Sequence, residues 1–434
     1  MKAVSFMTLG CKVNSYESEA MLELFRQDGY EAVAFPGPAD VYVINTCTVT
    51  NTGDAKSRKM IRQAHRANPD AVICVVGCYA QVASGQVAGM EGVDIVLGTR
   101  HRDHITSYVH DYLENGRQIV DVRDVMKEKT FEELAITSFE NRTRAFMKIQ
   151  DGCNNFCTYC IIPYARGHVR SRKPEDVLKQ AQDLCDQGFK EIVLTGIHTA
   201  GYGIDFDDYS FYDLLVDLTE KVKGLARLRI SSIEMSQVSD EIVNLIASSD
   251  VIVDHLHIPI QSGCDKILKR MNRHYTTEEF EDKLIKLREA LPTLSVTTDV
   301  IVGFPGETEE DFQVTYDWIE HCAFTELHVF PYSPRLGTPA AKMRGQLPGD
   351  VKKERVHRLM ALSEQLKHRF AQKQVGRQVD VLFEEVHDGK ATGHASDYLR
   401  VVTEEPVKLN HVYTLRVVAE DNGQLIGGEA VEKN

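Results

Sequence analysis

Short apolar runs alternate with amphipathic stretches along most of the chain, a rhythm that predicts parallel sheet wrapped by helices. The first runs are AVSFMTL (3 to 9), DVYVIN (40 to 45), AVICVVG (71 to 77) and VDIVLG (93 to 98), with helical patterns over 15 to 28, 53 to 67 and 79 to 89. In the first helix Met21, Leu22, Leu24 and Phe25 form the buried stripe and Gly29 ends it. Residues 115 to 141 lose the rhythm, gain charge and read as a linker. The alternation then resumes six times, with strands over 145 to 149, 191 to 195, 227 to 231, 255 to 259, 295 to 302 and 325 to 330. Helical patterns follow near 174 to 187, 211 to 222, 239 to 248, 276 to 290, 308 to 321 and 351 to 374. Six such units make a partial (β/α) barrel, whose reacting groups belong on the loops after the strands. Beyond 375 the pattern shortens to five runs separated by Gly, Asp and Asn, which suit a small closed β-barrel. The expected fold class is therefore α/β: an N-terminal parallel-sheet domain (1–130), a central partial (β/α)6 barrel (140–374) and a C-terminal small β-barrel domain (375–434).

A length of 434 residues suits two or three domains. No run of 18 apolar residues exists, so no membrane span is expected. The start MKAVSFMTLGC has the outline of a lipoprotein signal, but its apolar stretch is too short for one. Ten cysteines do not make a disulfide scaffold in a chain this long, and a reducing, cytoplasmic setting is expected. The net charge of −14 argues against non-specific coating of nucleic acid, so any RNA must be met by local patches.

The cysteine spacing adds chemistry. Cys153, Cys157 and Cys160, in DGCNNFCTYC directly after the first barrel strand, offer three thiolates to three corners of an iron–sulfur cube. The fourth iron would be left open to the amino and carboxylate groups of a small molecule. Zinc is the alternative, but it usually takes four protein ligands from paired knuckles, and one CxxC stands here. Cys11, Cys47 and Cys78 each fall just past the end of a predicted strand, on the edge where parallel sheets gather ligands. They read either as a second metal site or as three small buried residues. Cys74, Cys185, Cys264 and Cys322 read as buried filler. Two cationic stretches stand out. The helix near 54 to 66 carries Lys56, Arg58, Lys59, Arg62 and Arg66 against one acid, and residues 142 to 173 carry Arg142, Arg144, Lys148, Arg166, Arg170, Arg172 and Lys173 against Asp151 alone.

With Tyr159 before its last cysteine, the triplet resembles that of the radical S-adenosylmethionine (SAM) enzymes. The whole chain is similar to the methylthiotransferases within that group. LGCKVN (9 to 14) with ES (17 to 18), NTCTVT (45 to 50) and GCYAQ (77 to 81) match the three N-terminal cysteine motifs of the family, and GCNNFCTYCIIPYARG followed by RSR matches its central signature. LGCKVN is most similar to the branch acting on threonylcarbamoyladenosine at position 37 of tRNA. The resemblance implies SAM and two [4Fe-4S] clusters, one on Cys153, Cys157 and Cys160 for radical generation and one on Cys11, Cys47 and Cys78 to hold the sulfur. It also implies SAM contacts at Thr195 and Gly196, at Glu234 and Gln261, and in VIVGFPGE (300 to 307, with Gly303), with Tyr159 beside the cofactor. Arg166, Arg170 and Arg172 are expected to touch the phosphates of a tRNA anticodon stem-loop. An electron donor such as a flavodoxin or ferredoxin and a sulfur source are the further partners. The C-terminal domain resembles a TRAM domain, yet from 376 it has six Lys and Arg against eleven Asp and Glu. It either reads RNA through Arg400, His394 and Tyr398 or docks mainly on the barrel. The rival functions are methylthiolation of a ribosomal-protein side chain and a non-catalytic, metal-containing RNA-binding protein.

Overall fold

The computed structural model describes residues 2 to 134, 136 and 143 to 433. Its first unit is an all-parallel sheet of β1 (Lys2–Thr8), β2 (Tyr30–Val33), β3 (Val41–Thr46), β4 (Val72–Gly77), β5 (Ile95–Leu97) and β6 (Ile119–Asp121), in the order β2-β1-β3-β4-β5-β6. The central strands are buried at every position because helices cover both faces. Along β3, Tyr42 and Ile44 enter one core while Val41 and Val43 enter the other. β4 repeats the alternation, with Ile73 and Val75 opposite Val72, Cys74 and Val76. All four expected strands are present. β2, β6 and the helix Ile105–Asn115 are additions, β6 lying inside the stretch read as linker, and 79 to 89 divides into Cys78–Val82 and Ser84–Ala88. Strands of four and three residues are too short for alternation to register.

The second unit begins with β7 (Arg144–Lys148). The two-residue strands β8 (Gln150–Asp151) and β9 (Arg170–Ser171) then pair antiparallel across the base of the cysteine loop. β10 (Glu191–Thr195), β11 (Arg227–Ile230), β12 (His255–His257), β13 (Ser295–Val302) and β14 (Glu326–Pro331) complete six parallel strands. They form two three-stranded sheets, β11-β10-β7 and β12-β13-β14, joined at the bridges Leu228↔Ile252 and Ser232↔His257. The helices between them start where the sequence tells them to. Pro174 opens Pro174–Asp186, and capping boxes at Ser210/Asp213, Thr276/Glu279 and Thr308/Asp311 open three others. Leu184, Leu215, Leu284 and Ile319 from these helices meet Leu194, Leu228, Leu256 and Val296 from the strands in one core.

Helix Gly349–Gln372 leads to a closed barrel of β15 (Gln378–His387), β16 (Lys390–Ala395), β17 (Arg400–Thr403), β18 (Val412–Asp421) and β19 (Gln424–Glu432), the five runs expected. It sits on the amino ends of the barrel strands. Arg144 pairs with Glu384 at 2.9 Å, and Arg227 donates to the carbonyls of His394 and Ala395. The Tyr398 ring stacks on His255 (4.9 Å) and His394 (5.1 Å) with the Arg229 guanidinium 4.8 Å from its centre. Docking is therefore the role of His394 and Tyr398, while Arg400 stays exposed. Among the described residues no helix is long and apolar enough to cross a membrane.

Candidate functional site

Cys11, Cys47 and Cys78 follow β1, β3 and β4, adjacent strands whose registers Thr8↔Asn45 and Thr46↔Gly77 bring the three loops to one edge. Gly10, at φ +104°, lets the Cys11 loop pass against Cys47: a Cβ there would lie 2.9 Å from the Cys47 Cβ. The Asn14 amide donates to the carbonyls of Leu9 (2.7 Å) and Thr46 (3.0 Å), tying the first two loops together. Asn45 donates to the Asn14 carbonyl and to Ser18 Oγ, and Thr46 Oγ1 donates to the Val76 carbonyl. Burial pushes the Cys78 thiol up to about 11; Arg166 opposes this, and the neighbouring Cys11 and Cys47 add to it. Cys78 is buried and Cys11 exposed, so the trio opens on the Cys11 side.

Cys153, Cys157 and Cys160 sit on a loop held from several sides. Gly152, at φ +76°, is pressed on the His168 carbonyl, where a Cβ would come within 1.9 Å. The Cys153 amide donates to Gly167 (3.0 Å) and that of Cys160 to Cys157 (2.9 Å). Thr158 bonds Met271 through its amide and Arg270 through its hydroxyl. Arg273, ion-paired with Glu234 and lying over the Tyr275 ring at 5.1 Å, directs Nη1 at Cys157 Sγ, 3.5 Å away. Burial raises Cys153 to about 11 and Cys160 to about 12, so these thiols ionise only where a metal supplies the compensating charge. Neither trio is drawn to single-ion spacing. Among the described residues, the group of ligand atoms within 4.8 Å of one another is His257, Asp299 and His328.

Of the residues expected around SAM, Tyr159 lies on the cysteine loop and the others lie at or just past the carboxyl ends of barrel strands. Thr195 ends β10, and the next residue, Gly196, approaches Gln150, whose amide donates to the carbonyls of Asp151 and Gly152 at 2.7 Å. The end of β10 is thereby joined to the cysteine loop. Glu234 follows β11 and meets Arg273. Gln261, at φ +64°, follows β12 and bonds the Asp299 carbonyl. Gly303 follows β13, buried at φ +72°, its amide donating to Glu307, which pairs with Arg355 at 2.5 Å. Half-buried Tyr159 packs against the cluster of Phe304 and Tyr332. Two further groups went unread in the sequence. Buried His198 lies against the Gln237 side chain, with Glu234 and Arg273 near it. A polar ligand entering here would meet both side chains. A lone His in TGIHTA carries no spacing signal that could have marked it.

Arg166 joins the two trios. It ends the helix Ile162–Arg166 that starts just after Cys160, and its Nε donates to Cys78 Sγ at 3.2 Å. A five-residue helix is about 7.5 Å long. The same guanidinium bonds Glu17 (2.5 and 3.0 Å) and Asn14 Oδ1 (2.8 Å). Glu17 also takes Arg102 at 2.5 Å and Lys148 at 2.7 Å, and Lys148 bridges to Asp151 at 2.7 Å. Burial pushes the Glu17 carboxyl up, but Arg102, Arg166 and Lys148 outweigh it and hold Glu17 well below the usual carboxylate range.

This network corrects the expected RNA contacts. Arg166 is 0%, Arg170 1% and Arg172 5% exposed. Arg170 donates to the carbonyls of His168 and Arg166, and Arg172 bonds Glu133 and Gln180. Cations buried among such partners offer nothing to a phosphate. Lys148 is likewise internal, and Arg142 lies outside the described residues. Exposed cations stand elsewhere. Lys56, Lys59, Arg62 and Arg66 share the outer face of helix Asn51–Ala67, directly after Cys47. That helix is pinned to the barrel by Arg335, which bonds Asp54 and Thr48 at 2.6 Å and Asn51 at 2.5 Å.

Residues 147–319 match the radical SAM superfamily, and residues 3–98 match a family described as uncharacterized protein family UPF0004. The chain is 56% identical over 407 residues to the threonylcarbamoyladenosine tRNA methylthiotransferase MtaB of Bacillus subtilis, covering 93% of this chain and 90% of that protein. It is 42% identical to the protein of the same name from Aquifex aeolicus, covering 87% and 92%. A tRNA-2-methylthio-N(6)-dimethylallyladenosine synthase of Clostridium perfringens is 37% identical, covering 83% and 81%. Among solved structures, the radical SAM methyltransferase TsrM of Kitasatospora setae shares the fold with a TM-score of 0.58 at 14% identity, covering 78% of this chain and 74% of that one.

Proposed function

Because the chain belongs to the radical SAM family of threonylcarbamoyladenosine tRNA methylthiotransferases, we propose the following account of its activity and its site. It is an enzyme that replaces the hydrogen on carbon 2 of N6-threonylcarbamoyladenosine, at position 37 of tRNA, by a methylthio group, with SAM and a [4Fe-4S] cluster as cofactors. The finer reading is two such clusters, one on Cys153, Cys157 and Cys160 and one on Cys11, Cys47 and Cys78. The observation that carries it is Arg166, which ends the short helix that starts at one trio and bonds a sulfur of the other.

Bound there, clusters and SAM supply one-electron chemistry strong enough to open an aromatic carbon–hydrogen bond, together with the sulfur and methyl group that replace the hydrogen. The chain supplies position and charge. Arg273 beside Cys157 and Arg166 beside Cys78 each set a guanidinium donor against a sulfur of one trio. Thr195, Gly196, Glu234, Gln261 and Gly303 frame the SAM site from the strand ends, Tyr159 walls it, and His198 and Gln237 add a polar pair beside it. The division into an N-terminal domain (1–130), a barrel (140–374) and a TRAM-like domain (375–434) assigns the first cluster to one unit and the second to the next. The anticodon stem-loop approaches across Lys56, Lys59, Arg62 and Arg66, whose exposed face borders the Cys47 loop. A flavodoxin or ferredoxin type of donor and a sulfur source complete the reaction in the cytoplasm.

Reconstituted enzyme given SAM, reductant and sulfide is tested on a threonylcarbamoylated and on an unmodified anticodon stem-loop, with nucleosides read by mass spectrometry. The methylthio product is expected from the first substrate alone. Product on a ribosomal protein, or on neither stem-loop, would overturn the substrate assignment.

A further inference from the structure

The barrel carries a cluster of ligating side chains that neither cysteine site uses. On β13, Val296, Val300 and Val302 point outward into the core beneath the helices, so Thr297 and Asp299 face the barrel interior. By the same alternation Leu256 turns outward and His257 inward, and Leu327 outward and His328 inward. The strand order β12-β13-β14 then sets His257, Asp299 and His328 side by side across three neighbouring strands.

Their arrangement, rather than their spacing alone, sets them apart, since two surface pairs, His104–Asp103 at 3.6 Å and His387–Glu385 at 4.0 Å, stand farther apart still. Where a histidine and a carboxylate simply bond in this protein they close to 2.7 Å (His110–Asp28, His411–Glu432) or 2.8 Å (His321–Glu281). His394 stands 3.2 Å from Glu384, but there both carboxylate oxygens straddle one ring nitrogen. In the barrel a single oxygen, Asp299 Oδ1, lies 3.2 Å from His257 Nε2 and 3.2 Å from His328 Nδ1, and the two rings are stacked 5.3 Å apart. That is long for a charge-assisted hydrogen bond. Two ligands on a tetrahedral zinc ion, each about 2.0–2.1 Å from the metal, stand about 3.4 Å apart. The other nitrogen of His257, Nδ1, lies 2.9 Å from Thr297 Oγ1, the outer hydrogen bond by which proteins fix the ring of a metal-bound imidazole.

We propose that His257 Nε2, His328 Nδ1 and Asp299 Oδ1 form a site for one divalent transition-metal ion of the zinc class on the inner wall of the barrel, distinct from both cysteine trios. Two neutral imidazoles and one carboxylate are the donor set that such an ion takes, and three protein ligands leave a fourth position for water or a substrate group. The site ties β14, the last strand of the open barrel, to the two strands before it.

The test uses reconstituted holoenzyme, treated with a chelator, desalted and dialysed against zinc chloride, with zinc and iron measured together by inductively coupled plasma mass spectrometry. Roughly one zinc per chain is expected, with iron unchanged. His328→Gln, at an exposed position that leaves the fold undisturbed, and Asp299→Asn are each expected to weaken zinc binding at least tenfold while iron content and SAM cleavage stay at the wild-type level. Iron and SAM cleavage report on the cysteine sites, so a failure there is separable from a failure here. Wild-type protein that takes up less than about a tenth of an equivalent, or zinc retained in either variant, would overturn the proposal.

Discussion

Cys153, Cys157 and Cys160 share one loop, whereas Cys11, Cys47 and Cys78 come from the ends of three strands spread over residues 11 to 78. The loop is shaped by bonds made close by: Gly152 on His168, Cys153 on Gly167, Thr158 on Arg270 and Met271. The distributed trio depends instead on sheet register, on Asn14 and Asn45 tying one loop to the next, and on a guanidinium that arrives from the other domain. A local site keeps its geometry while the rest of the molecule shifts; a distributed one reports every shift. The two are accordingly expected to fail differently.

The largest separation is chemical. Cys157→Ser is expected to abolish both SAM cleavage and methylthiolation, while Cys47→Ser keeps SAM cleavage and loses the methylthio nucleoside. Chromatography of 5′-deoxyadenosine beside nucleoside mass spectrometry reads both, and full methylthiolation by the Cys47 variant would end the division of labour. Next comes Glu17→Gln, which leaves Arg102, Arg166 and Lys148 buried without their common carboxylate. Breaking a buried pair of this kind costs about 3–5 kcal/mol, measured by denaturant unfolding. Iron is expected to fall at the distributed trio and hold at the local one; equal loss from both would erase the contrast.

How much of this was legible follows the same line. The cysteine positions were readable because strand ends of a parallel sheet share an edge, and the five C-terminal strands because turn residues separate them. Arg166 misled because Glu17 and Cys78, which enclose it, lie 149 and 88 positions away, so a window around 142 to 173 showed seven cations with Asp151 as their one acid. Tyr398 left RNA contact and docking both open for a similar reason: the neighbours that decide for docking, Arg229 and His255, belong to another domain. His257, Asp299 and His328 sit on three strands with no shared spacing, and only the sheet order unites them. Bonds within a few residues were visible; those made by the tertiary fold were not.

A third region sharpens the comparison because it touches neither trio. Burial raises the Asp397 carboxyl from 3.8 to about 7, with Asp254 adding to it and Leu399, Arg229 and Arg227 opposing. A carboxyl that is harder to ionise when folded costs stability as pH rises from its ordinary value through its folded one. Asp397→Asn is thus expected to stabilise the protein by roughly 2–4 kcal/mol at pH 8, with the gain shrinking as pH falls below 7 towards 4. Thermal unfolding at both pH values checks this, and a gain that grew on acidification would contradict the sign. The smallest effect is expected at the surface. Lys59→Ala with Arg62→Ala is expected to weaken stem-loop binding about tenfold and to lower the slope of log affinity against log salt by roughly one per residue removed, leaving SAM cleavage untouched.

The account rests on two iron–sulfur centres in one chain, and iron counting tests it most directly. Anaerobically reconstituted wild-type protein is expected to hold about eight irons per chain, and replacing either trio by alanine is expected to leave about four. Four irons in the wild type, or a count that does not fall when Cys11, Cys47 and Cys78 are removed, would contradict it.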